Sequence, residues 1–130
     1  MSHFSTVKTQ LRQKEPLVQA LFDLGYVPQL GEKVVRGYRG QTMTADLSVA
    51  MPKGTDIGFR WNEGTSSYEL VADLDLWNQS VPFDRFLAKL TQRYAFNTVL
   101  SATAQEGFEV AEQTNNLDGS IELVVTRWDA

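Results

Sequence analysis

Residues 42–51, Thr42-Met43-Thr44-Ala45-Asp46-Leu47-Ser48-Val49-Ala50-Met51, decide the fold. Met43, Ala45, Leu47, Val49 and Met51 alternate with Thr42, Thr44, Asp46 and Ser48. A period of two belongs to an extended strand with one buried and one wet face. The apolar set is expected to face helices and the polar set to face away. Residues 33–38 read as the preceding strand, with Gly40 at the turn between them. On the other side, Pro52-Lys53-Gly54 punctuates a hairpin, after which Ile57, Phe59 and Trp61 share a face. Asn62-Glu63-Gly64-Thr65 turns the chain again. Tyr68, Leu70, Ala72 and Leu74 then point one way, and Glu69, Asp73 and Asp75 the other. These segments form an antiparallel meander.

Helices flank it. Glu15-Pro16 opens the first, because proline suits the first helical position; Leu17, Ala20, Leu21 and Leu24 follow at helical spacing, and Gly25 supplies the stop. Residues 2–10, with Phe4 and several hydroxyls, read as a strand before it. Ser80 reads as the cap of a second helix, with Pro82 early in it and Phe83, Phe86, Leu87, Leu90 and Tyr94 along one stripe. A further set, Phe96, Val99, Leu100 and Thr103, keeps helical spacing half a turn away, which predicts a break or bend at residues 95–97. Beyond Gly107, Phe108 and Val110 return to strand character, residues 115–119 turn, and Ile121, Leu123 and Val125 close the chain. Each half reads as strand, helix, strand, strand. The expectation is a single α+β domain over residues 1–130: a mainly antiparallel sheet with helices on one face and a possible internal pseudo-repeat.

The chain has 130 residues, no cysteine and one histidine, His3. Thiol catalysis, thiolate metal sites and iron-sulfur ligation are thereby excluded, and the usual imidazole base has a single position to occupy. Hydrophobic residues make up 42% and charged residues 22%, a globular composition. The net charge of −4 disfavours a dominant nucleic-acid or anionic-membrane surface, and no stretch approaches the length of a membrane span. No cofactor or zinc or iron centre is expected.

Met1-Ser2-His3-Phe4-Ser5, Leu21-Phe22-Asp23-Leu24-Gly25-Tyr26, Arg93-Tyr94-Ala95, Gly107-Phe108, Asp118-Gly119-Ser120-Ile121 and Arg127-Trp128 occur in that order. Together they resemble the hypothetical chloroplast reading frame thirty-five family, small conserved proteins of cyanobacteria and algal plastids with no assigned biochemical activity. The resemblance implies a soluble protein of a cyanobacterial cytoplasm or plastid stroma, and it implies no catalytic residue.

Four features are candidates for function. His3 with Ser2 and Ser5 lacks the oxyanion geometry and nucleophile elbow a serine needs, so the plainer reading is a strand end. Asp73 and Asp75, with Glu69, sit on the outward face of a strand, where a hard cation or simple solvation are alternatives. Asn115-Asn116-Leu117-Asp118-Gly119 carries oxygen ligands but not the twelve-residue calcium-loop pattern, and a hairpin turn explains it. Lys33, Arg36, Tyr38 and Arg39, with Arg60 and Trp61 on a neighbouring strand, combine positive charge with large aromatics. Arg36, Tyr38, Arg39, Arg60 and Trp61 form the candidate interaction surface, because arginine and aromatics anchor interfaces. A non-catalytic protein-interaction, assembly or regulatory factor with a protein partner is the first expectation. A nucleic-acid-binding module, stacking bases on the same surface, is the alternative. A carboxylate enzyme comes third.

Overall fold

The computed structural model describes residues 4–36, 42–53 and 56–127, and the backbone alone at 33, 34, 36, 108–111, 125 and 127. The elements are β1 (Ser5–Lys8), α1 (Lys14–Asp23), β2 (Gln29–Arg36), β3 (Thr42–Val49), β4 (Ile57–Asn62), β5 (Ser67–Ala72), a 3-10 turn (Leu74–Leu76), α2 (Phe83–Gln105), β6 (Phe108–Asn115) and β7 (Ile121–Arg127). The first five strands make one sheet in the order β1-β5-β4-β3-β2, every neighbouring pair antiparallel. The expected α+β architecture is therefore present. β2 starts four residues ahead of the expected strand, and Tyr38, Gly40 and Gly54 lie outside the described residues.

β1 and β2 are the two edges of the sheet, so the connection between them, which contains α1, has to cross it. Leu17, Ala20 and Leu21 of α1 and Phe86, Leu90 and Tyr94 of α2 pack on Leu47, Val49, Ile57, Phe59, Leu70 and Ala72 of the sheet. Fully burying an aliphatic or aromatic side chain contributes ~1.5–3 kcal/mol. This shared face is the main core.

The alternation of residues 42–51 does not run unbroken. Leu47, Val49 and Met51 join the helix-side core, whereas Met43 and Ala45 pack with Val35 and Val71 in a second, smaller cluster. Val71 lies between Leu70 and Ala72, hence on the opposite face. The cause is local. Pairing of β3 with β4 runs only from Leu47 to Val49, and at the next position an Asp46 carboxylate oxygen accepts the Trp61 backbone N–H at 2.6 Å, replacing the ladder bond. The strand changes face there. β2 carries its own irregularity between Leu30 and Lys33, where three of its residues span two on β3. On the second face Gly58 is held tightly: a Cβ there would stand 2.5 Å from Val35 Cγ2, 2.8 Å from Ala45 Cβ and 3.1 Å from Val71 Cγ2.

α2 holds α1 at both ends. At the start, the Tyr94 hydroxyl accepts the backbone N–H groups of Arg12 and Gln13, each at 2.9 Å, standing in for a side-chain cap that α1 lacks. At the finish, Asp23 Oδ2 accepts from Arg93 Nε at 2.8 Å and Asn97 Nδ2 at 3.1 Å, while Oδ1 accepts from Gln19 Nε2 at 2.9 Å. Burial pushes the Asp23 carboxyl upward, but these three donors and the Arg93 charge outweigh it and hold the group below its ordinary range. Gly25, at φ 93°, then reverses the chain: its N–H reaches Phe22 O and the Tyr26 N–H reaches Leu21 O, both at 2.9 Å. Tyr26 thereby meets Phe86 edge-on at 5.6 Å.

The expected break at residues 95–97 is absent, and α2 is one helix of 23 residues. Its displaced second stripe meets different surroundings instead. Phe96 and Val99 turn to β7, and Leu100 turns to the start of α1. Ser80 is not the cap either; Pro82 precedes the first turn, and no side chain caps it. The pseudo-repeat is not confirmed: among the described residues β6 and β7 pair with each other, in a separate two-stranded sheet against α2.

Two outcomes follow from this packing. Gly58→Ala should destabilise the fold by about 1–3 kcal/mol through overpacking against Val35 and Ala45, measured by urea unfolding. Asp23→Asn should cost about 1 kcal/mol at pH 7, the scale of a partly exposed ion pair with charged hydrogen bonds. Because the folded carboxyl is held low, its contribution is present above the unfolded value and lost as pH falls through the folded one. The variant and the parent should therefore converge in stability near pH 2, and a constant gap between them from pH 7 to pH 2 would refute the clamp.

Candidate functional site

Strand alternation sets the basic and aromatic candidates apart. Arg60 and Trp61 are consecutive on β4, so their side chains leave opposite faces. Trp61 is 37% exposed and stands edge-on to Tyr68, ring centroids 5.1 Å apart, on the helix side. Arg60, on the other side, gives Nη2 to Glu69 Oε2 at 3.1 Å and Nη1 to Met43 Sδ at 3.6 Å. Glu69 also accepts from Asn62 Nδ2, and these bonds, Asn62 first and Arg60 second, hold its carboxyl below the usual range. Asn62 in turn ties the turn after β4 through its Oδ1 to the Gly64 N–H at 2.8 Å. Arg60 also borders a small hollow of ≈ 140 Å³ beside Glu32 and Asp46. Arg36 is the last residue of β2, paired with Thr42, and its side chain, like the whole of Tyr38 and Arg39, lies outside the described residues.

The acidic strip expected on β5 does not exist as a strip. β5 ends at Ala72, Asp73 is fully buried, Asp75 is exposed in the 3-10 turn, and Glu69 belongs to the Arg60 network. Both carboxylate oxygens of Asp73 are buried with no hydrogen-bond partner. Periodicity carries no signal for that burial, since an aspartate after a strand ordinarily faces water. Ser5 is in β1, and Ser2 and His3 lie outside the described residues. Among the described residues no three His, Cys, Asp or Glu side chains gather as metal ligands, and no helix is long and apolar enough to cross a membrane.

Two concavities flank α2. The larger, ≈ 640 Å³, lies between the start of α1 and the second half of α2, with Gln13, Lys14, Gln19, Asn97, Ser101 and Gln105 among its walls. Its lining is rich in amides, and Glu15 is also among its walls beside Lys14. The other, ≈ 380 Å³, runs between α2 and β7 and is walled by Ala95, Phe96, Val99, Ile121 and Leu123. Val99 and Val124 are about half exposed, and Leu117, at the tip of the β6–β7 hairpin, is wholly exposed. The tip itself is well made. Asp118 Oδ1 accepts the Ser120 N–H at 2.9 Å and its hydroxyl at 2.7 Å, and the Gly119 N–H reaches Asn116 O at 3.1 Å. Leu117 was open to detection in the sequence as the apolar residue in an otherwise polar turn.

The motifs quoted for the family resemblance serve the architecture. Leu21 is core, Asp23 clamps α1, Gly25 reverses the chain, Arg93 and Tyr94 grip the two ends of α1, and Asp118-Gly119-Ser120 forms the hairpin tip. Trp128 lies outside the described residues.

Comparison with known proteins agrees. A family model described as a protein of unknown function, DUF1257, matches residues 20–124. The "Uncharacterized protein ycf35" of Guillardia theta is 40% identical over 98% of both chains, that of Cyanophora paradoxa 38% over 98% of both, and that of Pyropia yezoensis 36% over 99% of both. No solved structure matches. The chain belongs to the ycf35 family of uncharacterised proteins, the family that its Leu21–Tyr26, Arg93-Tyr94 and Asp118–Ile121 motifs resemble.

Proposed function

We propose that the protein is a non-catalytic protein-interaction, assembly or regulatory factor of a cyanobacterial cytoplasm or plastid stroma. The observation that carries this reading is the β6–β7 hairpin. A two-stranded sheet is marginal in water unless one face packs on something. This one packs on α2 yet leaves Leu117 wholly exposed and Val99 and Val124 half exposed. Exposed apolar side chains at a turn-stabilised hairpin tip and on the helix beside it are the ordinary anchors of a contact with another macromolecule. The basic and aromatic positions Arg36, Tyr38, Arg39, Arg60 and Trp61 are the second proposed contact, with Trp61 the exposed aromatic among those whose side chains are described.

A nucleic-acid role receives less support. The Arg60 charge is already engaged by Glu69, and the chain carries a net −4. Counterion release from phosphates needs several free cationic groups on one face.

Tagged protein captured from a phototroph extract tests the reading through two variants. Leu117→Asp, at a fully exposed position, should shift stability by no more than about 0.5 kcal/mol while removing the main protein partner. Arg36→Glu/Arg39→Glu should weaken the same capture if the second contact belongs to it. Retention of every partner by both variants, or capture consisting only of RNA or DNA released by salt, would overturn the proposal.

A further inference from the structure

The part-buried carboxylates are accounted for: Asp23 has three donors and Glu69 has two. Asp73 is the exception. It is 0% exposed, and neither Oδ1 nor Oδ2 has a hydrogen-bond partner. A buried polar side chain with neither oxygen bonded costs free energy that folding must offset elsewhere. A buried polar group left in this state points to a species that completes it.

The surroundings indicate which species. At φ −87° and ψ 95°, Asp73 keeps the extended backbone one residue past β5, so its side chain follows Val71 onto the face away from the helices. The last paired step of β4 and β5 is Ile57 with Ala72, and the same antiparallel register continued by one residue sets Asp56 opposite Asp73. Asp56 is partly exposed and already makes an interaction, but a carboxylate has lone pairs for more than one. These two strand ends, one carboxylate buried and the other partly exposed, offer oxygen donors alone. Sulfur and imidazole ligands are absent from the set, which selects hard cations over zinc or iron. Magnesium is held by proteins through one or two carboxylates, with water completing its octahedron.

We propose that Asp73, with Asp56 beside it, forms a site for a hard divalent cation, magnesium foremost, at the end of β4 and β5. The cation supplies the partner that the Asp73 oxygens otherwise lack, and it ties together the ends of two central strands.

Full-length protein stripped with EDTA provides the test, by thermal unfolding in millimolar MgCl2, in CaCl2, and in NaCl at matched ionic strength, with calorimetric titration of each divalent cation. Magnesium should raise Tm by roughly 3 °C or more over the sodium control and bind saturably at one equivalent. A response to calcium instead would uphold the hard-cation site and reassign the ion. Asp73→Asn, which replaces the carboxylate at nearly equal size, should show no divalent response, and Asp56→Asn should show a weakened one. The proposal fails if neither cation shifts the parent's Tm and no saturable uptake is seen, a result that stands without any variant folding. It fails equally if Asp73→Asn keeps the full response, because the ion would then sit elsewhere.

Discussion

A single constraint runs through this fold: one helix of ten residues sits in the connection between the two edges of a five-stranded sheet and has to stay seated. α1 is too short to be stable alone, since isolated helices below ~12–15 residues are marginal in water. It is held because α2 fastens both its ends. The Tyr94 hydroxyl receives the two backbone donors that precede α1, and Arg93 and Asn97 receive the carboxylate that closes it. Arg93 is itself steadied over the Phe96 ring at 4.4 Å. With both ends fixed, Leu17, Ala20 and Leu21 are pressed onto the sheet, and the main core exists.

That arrangement gives the family motifs a physical meaning. An Asp-Leu-Gly-Tyr sequence can look like a reaction loop, yet here Asp23 is a fastener, Gly25 a reversal and Tyr26 an edge-on partner of Phe86. Arg93-Tyr94 is the matching half of the same device. Residues shared for architecture do not identify chemistry. The functional search moves to places the architecture does not explain, chiefly the exposed hairpin and the sealed carboxylate of Asp73.

Much of the fold was legible from residue order because its signals are local: the alternation of Leu47, Val49 and Met51, the stripe of Phe86, Leu90 and Tyr94, the stop at Gly25, and the turn at Asp118-Gly119. The failures occur where one pattern serves two surroundings. A period of two cannot register that Asp46 replaces a ladder bond and turns the strand over between Ala45 and Leu47. A displaced apolar stripe on α2 has the same spacing whether the helix breaks or whether, as here, an unbroken helix meets the sheet first and then the hairpin and α1. The candidate surface was less legible than the fold. That Arg60 and Trp61 leave opposite faces follows from their being neighbours on a strand, but that Glu69 engages Arg60 depends on the register of β4 with β5. Asp73 was read on an outward face with Asp75, and its burial carried no signal, because burial is a tertiary property.

The position of β1 also has a consequence for synthesis. β1 pairs with the far end of the meander, Ser5 with Ala72 and Lys8 with Glu69. The first strand and the helix behind it therefore leave the ribosome well before the strand they need. At ~5–20 residues per second the wait lasts roughly several seconds. Over that interval β2, β3 and β4 can already zip together by short hairpins, while the face that α1 is to cover stays open to water. A nascent chain built this way passes through a stage with an apolar sheet face bare and a short amphipathic helix tethered at its side, which is the kind of surface that general chaperones engage.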